Sequence, residues 1–118
     1  MSTNREDFGV TLEITAGTTK QFEVTITDPD TNQAVDMQDT AVYNSGSVKI
    51  YQPDGTLITS GVGVSFTDRA NGIVTFTILA AVAVNANAGN WIGEIEFSNQ
   101  TPTVIDQQKF NFNIIESF

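Results

Sequence analysis

Apolar residues fall on every second position in seven separate stretches of this chain. The first four are Val10-Thr11-Leu12-Glu13-Ile14-Thr15-Ala16, Gln21-Phe22-Glu23-Val24-Thr25-Ile26-Thr27, Ser47-Val48-Lys49-Ile50 and Val62-Gly63-Val64-Ser65-Phe66-Thr67. The others are Val74-Thr75-Phe76-Thr77-Ile78, Trp91-Ile92-Gly93-Glu94-Ile95-Glu96-Phe97 and Phe110-Asn111-Phe112-Asn113-Ile114. Residues two apart share one face of a strand, so each stretch reads as a strand with an apolar side inward and Thr, Asn or Glu outward. The alternation puts Phe76, Ile95 and Phe112 in the interior and leaves Thr75, Glu96 and Asn111 outside. Turn chemistry separates the strands. Gly17 in Ala16-Gly17-Thr18-Thr19 allows a positive φ, Pro53 in Gln52-Pro53-Asp54-Gly55 presets a turn, and Asn71-Gly72 is a strong hairpin signal. Ser45-Gly46 and Asn99-Gln100-Thr101-Pro102 are further breaks. The exception is the alanine-rich run Leu79–Gly89, where one short helical turn near residues 80–86 is expected to cross between sheets. Short strands with turns between them and no long helical period describe an antiparallel sandwich or barrel.

A chain of 118 residues is sized for one domain. Residues 1–8 read as a polar N-terminal arm, free or bound to a partner, and residues 9–118 as the domain. There is no cysteine and no histidine. Disulfides, thiolate metal sites, cysteine nucleophiles and every histidine-based triad or metal site are therefore excluded. Fourteen acidic against five basic residues leave a net charge of −9, which repels a phosphate backbone or an anionic bilayer. Neither nucleic acid nor membrane is expected as a partner. No stretch is apolar enough for a membrane span, and the first residues lack the apolar core of a secretory signal.

Candidate chemistry is sparse. Asp28, Asp30, Asn32 and Asp36 lie at alternate or near-alternate positions of an acidic loop, the spacing that calcium loops use, and are the candidate cation ligands. Gln33 stands where an EF-hand needs Gly, Asp39 where it needs Glu, and strands flank the loop, so a helix-loop-helix site is excluded. A turn rich in Asp, Asn and Pro accounts for the same residues. Glu94 and Glu96 share one strand face, with Glu13 or Glu23 as neighbours from another strand, and paired carboxylates run glycoside hydrolysis. All four fall on the polar face, where solubility explains them. Trp91, Tyr43 and Tyr51 offer flat surfaces for a sugar, but Trp91 opens the inward series Trp91, Gly93, Ile95, Phe97. The Ser and Thr residues have no histidine to activate them. Neutral polar side chains dominate the outward strand positions while Lys and Arg are scarce, and edges without lysine are poorly guarded against pairing with another chain.

The ordered pieces Leu12–Phe22, Val48-Lys49-Ile50-Tyr51-Gln52-Pro53-Asp54-Gly55-Thr56, Asp68–Ile78 and Gly89-Asn90-Trp91-Ile92-Gly93-Glu94-Ile95 resemble the immunoglobulin-like domain of phage baseplate upper proteins and related small virion modules. The resemblance spans residues 10–115. It implies an all-β, immunoglobulin-like sandwich of about seven strands and a non-enzymatic structural role in a bacteriophage virion, as a tail or baseplate module or a capsid decoration assembled in the host cytoplasm. The partners it implies are other virion proteins in multiple copies, without cofactor, catalytic residue or small-molecule substrate. The alternative is a glycan- or receptor-binding module for host attachment, assisted by a cation at the Asp28–Asp36 loop.

Overall fold

The computed structural model describes residues 3–5, 11–28, 30–101 and 103–117. Nine strands are present among them: β1 (Thr3–Arg5), β2 (Thr11–Thr15), β3 (Lys20–Thr25), β4 (Ser45–Tyr51), β5 (Leu57–Gly63), β6 (Ser65–Asp68), β7 (Ile73–Ile78), β8 (Gly89–Ser98) and β9 (Val104–Ile115). They form two sheets. The larger runs β1-β9-β8-β4-β5, with β2 also on β9, and the smaller runs β3-β7-β6. In immunoglobulin lettering β3, β7 and β6 are B, E and D, while β4, β8 and β9 are C, F and G, with β5 as C′. The chain is therefore an immunoglobulin-like β-sandwich.

Two features depart from a seven-stranded antiparallel reading. Both β1 and β2 run parallel to β9, with Thr3 beside Asp106 and Thr11 beside Asn111. Part of the expected 1–8 arm thus lies in the larger sheet as Thr3–Arg5, and its other residues lie outside those described. The stretch Val62–Thr67 is not one strand. Gly63 still pairs with Ser47 in the larger sheet, whereas Ser65 pairs with Thr75 in the smaller one, and Val64 is the corner between them. Alternation persists through the corner because Val62, Val64 and Phe66 all pack on the same core while the backbone changes sheet.

The interior follows from the pleat. Phe76, Ile95 and Phe112 are 2%, 0% and 1% exposed, whereas Asn111 is exposed and Thr75 and Glu96 are half-buried. Phe22 and Phe76 of the smaller sheet stack at 5.5 Å between centroids, and they meet Phe112 and Phe110 of the larger one at 5.9 Å each. Gly93 faces this layer opposite Phe110 in the β8–β9 register, and a Cβ added to it would fall inside the Phe110 ring. The aromatic ring roofs the glycine and restores the packing its missing side chain leaves.

The connections are fastened individually. Arg69 Nη1 donates to Met37 O at 2.9 Å and Tyr43 O at 2.8 Å, and its guanidinium lies 4.0 Å from the Phe66 ring centre. This pins the long segment between β3 and β4, whose Met37 is fully buried. The expected hairpin at Asn71-Gly72 is the β6–β7 pair, joined through a 3₁₀ turn at Arg69–Asn71. Gly72 closes that turn in the left-handed region at φ 69°, where a Cβ would also press on the carbonyls of Ile26 and Val35. The alanine-rich run turns twice: Leu79 O accepts from Val82 N and Ala83 N at the start of the expected span, and a 3₁₀ turn follows at Asn85–Asn87, while Ala83 is buried and its carbonyl accepts from Gly17 N. Trp91 Nε1 donates to Asn87 O at 2.8 Å and so ties that turn to β8. A tyrosine does the same at this corner of many immunoglobulin-like domains. Among the described residues no helix is long and apolar enough to cross a membrane.

Candidate functional site

The acidic loop folds on itself. Asp28 N donates to Gln33 O, Asn32 N donates to Asp28 O, and Asn32 adopts a left-handed φ of 58° to make that turn. Asp28 Oδ1 accepts from Asp30 N at 2.8 Å and Asp36 Oδ1 accepts from Gln38 N at 2.9 Å. These are side-chain turns of the kind that Asp favours next to backbone N–H groups. Among the described residues no three of His, Cys, Asp or Glu are grouped so as to hold a metal ion. The four candidate ligands Asp28, Asp30, Asn32 and Asp36 are not brought together as a cation site.

Of the described carboxylates named as candidates, only Glu94 and Glu96 share a site. Both point outward from β8, and Lys49 of β4 bridges them, with Nζ 3.1 Å from Glu94 Oε1 and 3.2 Å from Glu96 Oε1. Tyr51 OH donates a long bond of 3.4 Å to Glu94 Oε2. Glu94 departs from the solvated position expected of it, being 5% exposed. Flanking strands β4 and β9 place Lys49 and Lys109 on either side of it in register, and the long side chains of an outer sheet face can bury a carboxylate as a core would. The bond to Glu94 holds the Lys49 ammonium above its ordinary pKa of 10.5, against the cost of desolvation and with help from Glu96. Burial, then the charge on Glu94, pushes the Tyr51 phenol above 10.0. Lys49 and Tyr51 are thus held in the protonated forms they already have at neutral pH, and Lys49 ties the two carboxylates together into one cluster. Glu13 lies on β2 beside Asn113 and Glu23 lies in the smaller sheet, so neither joins it.

The aromatic candidates are likewise dispersed. Trp91 is in the core at 8% exposure. Tyr43 packs edge-on against Phe97 and its OH donates to Asp106 Oδ2 at 3.3 Å. Tyr51 is on the outer face with Lys49 5.6 Å above its ring. No shared stacking platform exists among these three.

A cleft of about 320 Å³ opens where the two sheets diverge beside β5. Buried Phe76 and Ile78, half-buried Val62 and Val82, and exposed Leu79 supply its apolar lining. Gln21, Thr59, Ser65, Thr75 and Thr77 supply its polar one. The chain makes this cleft by leaving: β6 pairs with β7 only from Ile73 to Thr75, because the residues before Ser65 belong to the larger sheet. On that side Phe76–Ile78 have no strand partner among the described residues, though Lys20–Phe22 pair with them on the other. No residue type signals such a site; the clue in the sequence is only that alternation runs unbroken through the corner at Val64.

No family model and no curated protein matches the chain. Solved structures that match include the crystal structure of CopC from Methylosinus trichosporium OB3b, at a TM-score of 0.47 and 13% identity over 91% of this chain and 85% of that one. That likeness is too distant to transfer any property.

Proposed function

We propose that this chain is a non-enzymatic assembly module of a bacteriophage particle, in the tail or baseplate or on the capsid surface, acting by association with other virion proteins. The observation that carries the reading is how the reactive side-chain types are used. Asp28 and Asp36 cap their own turns, Glu94 is held by Lys49, and Tyr43, Tyr51 and Trp91 each bond to a group of the fold. What faces outward from the strands is largely Thr, Ser, Asn and Gln, a surface suited to docking and short of the groups that proton or nucleophilic chemistry requires. The residues that resemble the baseplate upper domain also fall on landmarks of this sandwich. Leu12–Phe22 form the β2–β3 corner, Asp68–Ile78 the 3₁₀ turn with β7, and Gly89–Ile95 the start of β8.

Particles purified from the phage that encodes the chain test this directly. Quantitative mass spectrometry is expected to find it at a fixed ratio to the other structural proteins, and cryo-electron microscopy to place it in repeated copies. Particles free of it would overturn the proposal.

A further inference from the structure

We propose that the cleft between β5 and β7 receives an extended, uncharged strand of a partner polypeptide, which adds to the smaller sheet beside Phe76–Ile78 in line with β6. The inference takes from the assembly reading only that the partner is a protein. Three observations carry it. The first is the backbone. β7 pairs residue for residue with β3 without a bulge, and because an antiparallel strand turns its N–H and C=O groups to alternate sides, every second residue of the stretch presents its pair on the side away from β3, in the extended geometry that strand addition uses. The second is the contrast with the other edges described. β2 carries Glu13, β3 carries Glu23, β6 ends in Asp68, and β5 opposes β4 through register shifts and has Gly61 at φ 68°. Charges and bulges are how sheet edges are blunted, and Phe76–Ile78 has neither. Lys20, opposite Ile78, does not guard the stretch, since its ammonium is held at Glu13 O, 3.0 Å away.

The third observation is charge. None of the residues lining the cleft is ionisable, in a chain of net charge −9. A neutral recess on an acidic body admits an uncharged segment without desolvating a fixed charge and disfavours an acidic one. Its mixed lining fits a strand that alternates apolar and hydroxyl side chains, one set entering toward Phe76, Ile78 and Val62 and the other meeting the threonines. A sugar is a poorer fit, because the lining holds no exposed aromatic ring and no carboxylate.

The test is a nuclear magnetic resonance titration of the isotope-labelled chain with short peptides that alternate Val with Thr, Leu with Ser, and Ile with Gln. An Asp-Thr alternation and copies N-methylated at every second peptide bond serve as comparisons. Saturable shifts and slowed amide exchange are expected at Phe76–Ile78 and the facing part of β5, with the N-methylated and acidic peptides silent. Thr77→Lys should weaken binding about tenfold or more. Leu79→Asp, at an exposed position that leaves the core intact, should do the same, while Glu23→Gln should not. The proposal falls if none of the neutral peptides saturates, if the shifts map to another edge, or if N-methylated copies bind equally. It falls too if the chain forms a dimer that Thr77→Lys dissolves, since the occupant is then a second copy. Peptide binding by a chain missing from particles would sink the assembly reading alone, whereas particles that incorporate the chain with no peptide binding would sink the cleft alone.

Discussion

Strand β9 sends five side chains into the sandwich at successive inward positions, and its two halves fill those positions in opposite ways. Phe110, Phe112 and Ile114 meet the aromatic layer of the smaller sheet, while Asp106 and Gln108 occupy the same register toward the strand's beginning at 2% and 1% exposure. What lies opposite differs. Phe97, the neighbour of Asp106 in register, packs on Tyr43 and Phe66, so this end is covered by a loop and a short strand with polar groups of their own. The pleat decides which side chains point inward; the opposing layer decides which of them are tolerated there. A sheet opposite selects hydrocarbon, whereas the loop opposite brings the Tyr43 hydroxyl, which donates to the Asp106 carboxylate.

The comparison is broken most forcefully at the apolar half. Phe112→Ala should cost about 3–5 kcal/mol in urea unfolding, because the cavity opens where two sheets already interlock. At the polar half, Tyr43→Phe keeps the ring on Phe97 and removes only the hydroxyl from Asp106, so the same measurement should read about 1–2 kcal/mol. The outer face supplies a control that depends on pH. Lys49 and Tyr51 both hold their protons more tightly folded than unfolded, so the unfolded chain releases them first as pH climbs. Stability should therefore be level through neutral pH and decline from about pH 10 upward. Lys49→Met should cost about 1 kcal/mol near pH 7, since the lysine is 39% exposed, and should make the alkaline decline shallower. The smallest effect is expected at Gln108, whose Oε1 is buried with no hydrogen-bond partner among the described residues. Gln108→Leu, close in volume, should change stability by less than about 1 kcal/mol in either direction. A loss as large as that of Phe112→Ala would show that the polar half is bonded as tightly as the apolar half is packed.

The same contrast accounts for what could be read from the residues alone. Strands with one apolar side and one polar side, such as β3, β7 and β8, are legible because the period-two signal is a direct record of burial. The first half of β9 is buried too, but Asp106 and Gln108 carry no apolar mark, so only Phe110–Ile114 stood out. β5 escaped for another reason: the left-handed Gly61 and the register shifts against β4 place Ile58 and Val62 both on the core, four residues apart with an irregular face between them. β1 is Thr3-Asn4-Arg5 and has no apolar position to show. Among the candidate sites, the Asp28–Asp36 loop was open to either a turn or a cation reading from composition, and the carboxylate geometry favours the turn. Glu94 looked solvated because alternation distinguishes inside from outside and cannot register how deeply neighbouring strands cover an outer face. The cleft left no mark, because it is made by pairing that stops and not by any residue that is present.

Gly93 and Phe110 have a consequence that outlasts any single molecule. The ring sits where a side chain on Gly93 would be, so Gly93 cannot gain one while Phe110 stays, and a smaller residue at 110 opens a cavity over the glycine. A descendant of this chain that places a side chain at 93 must first give up the ring at 110, so the order of the two changes is fixed by geometry.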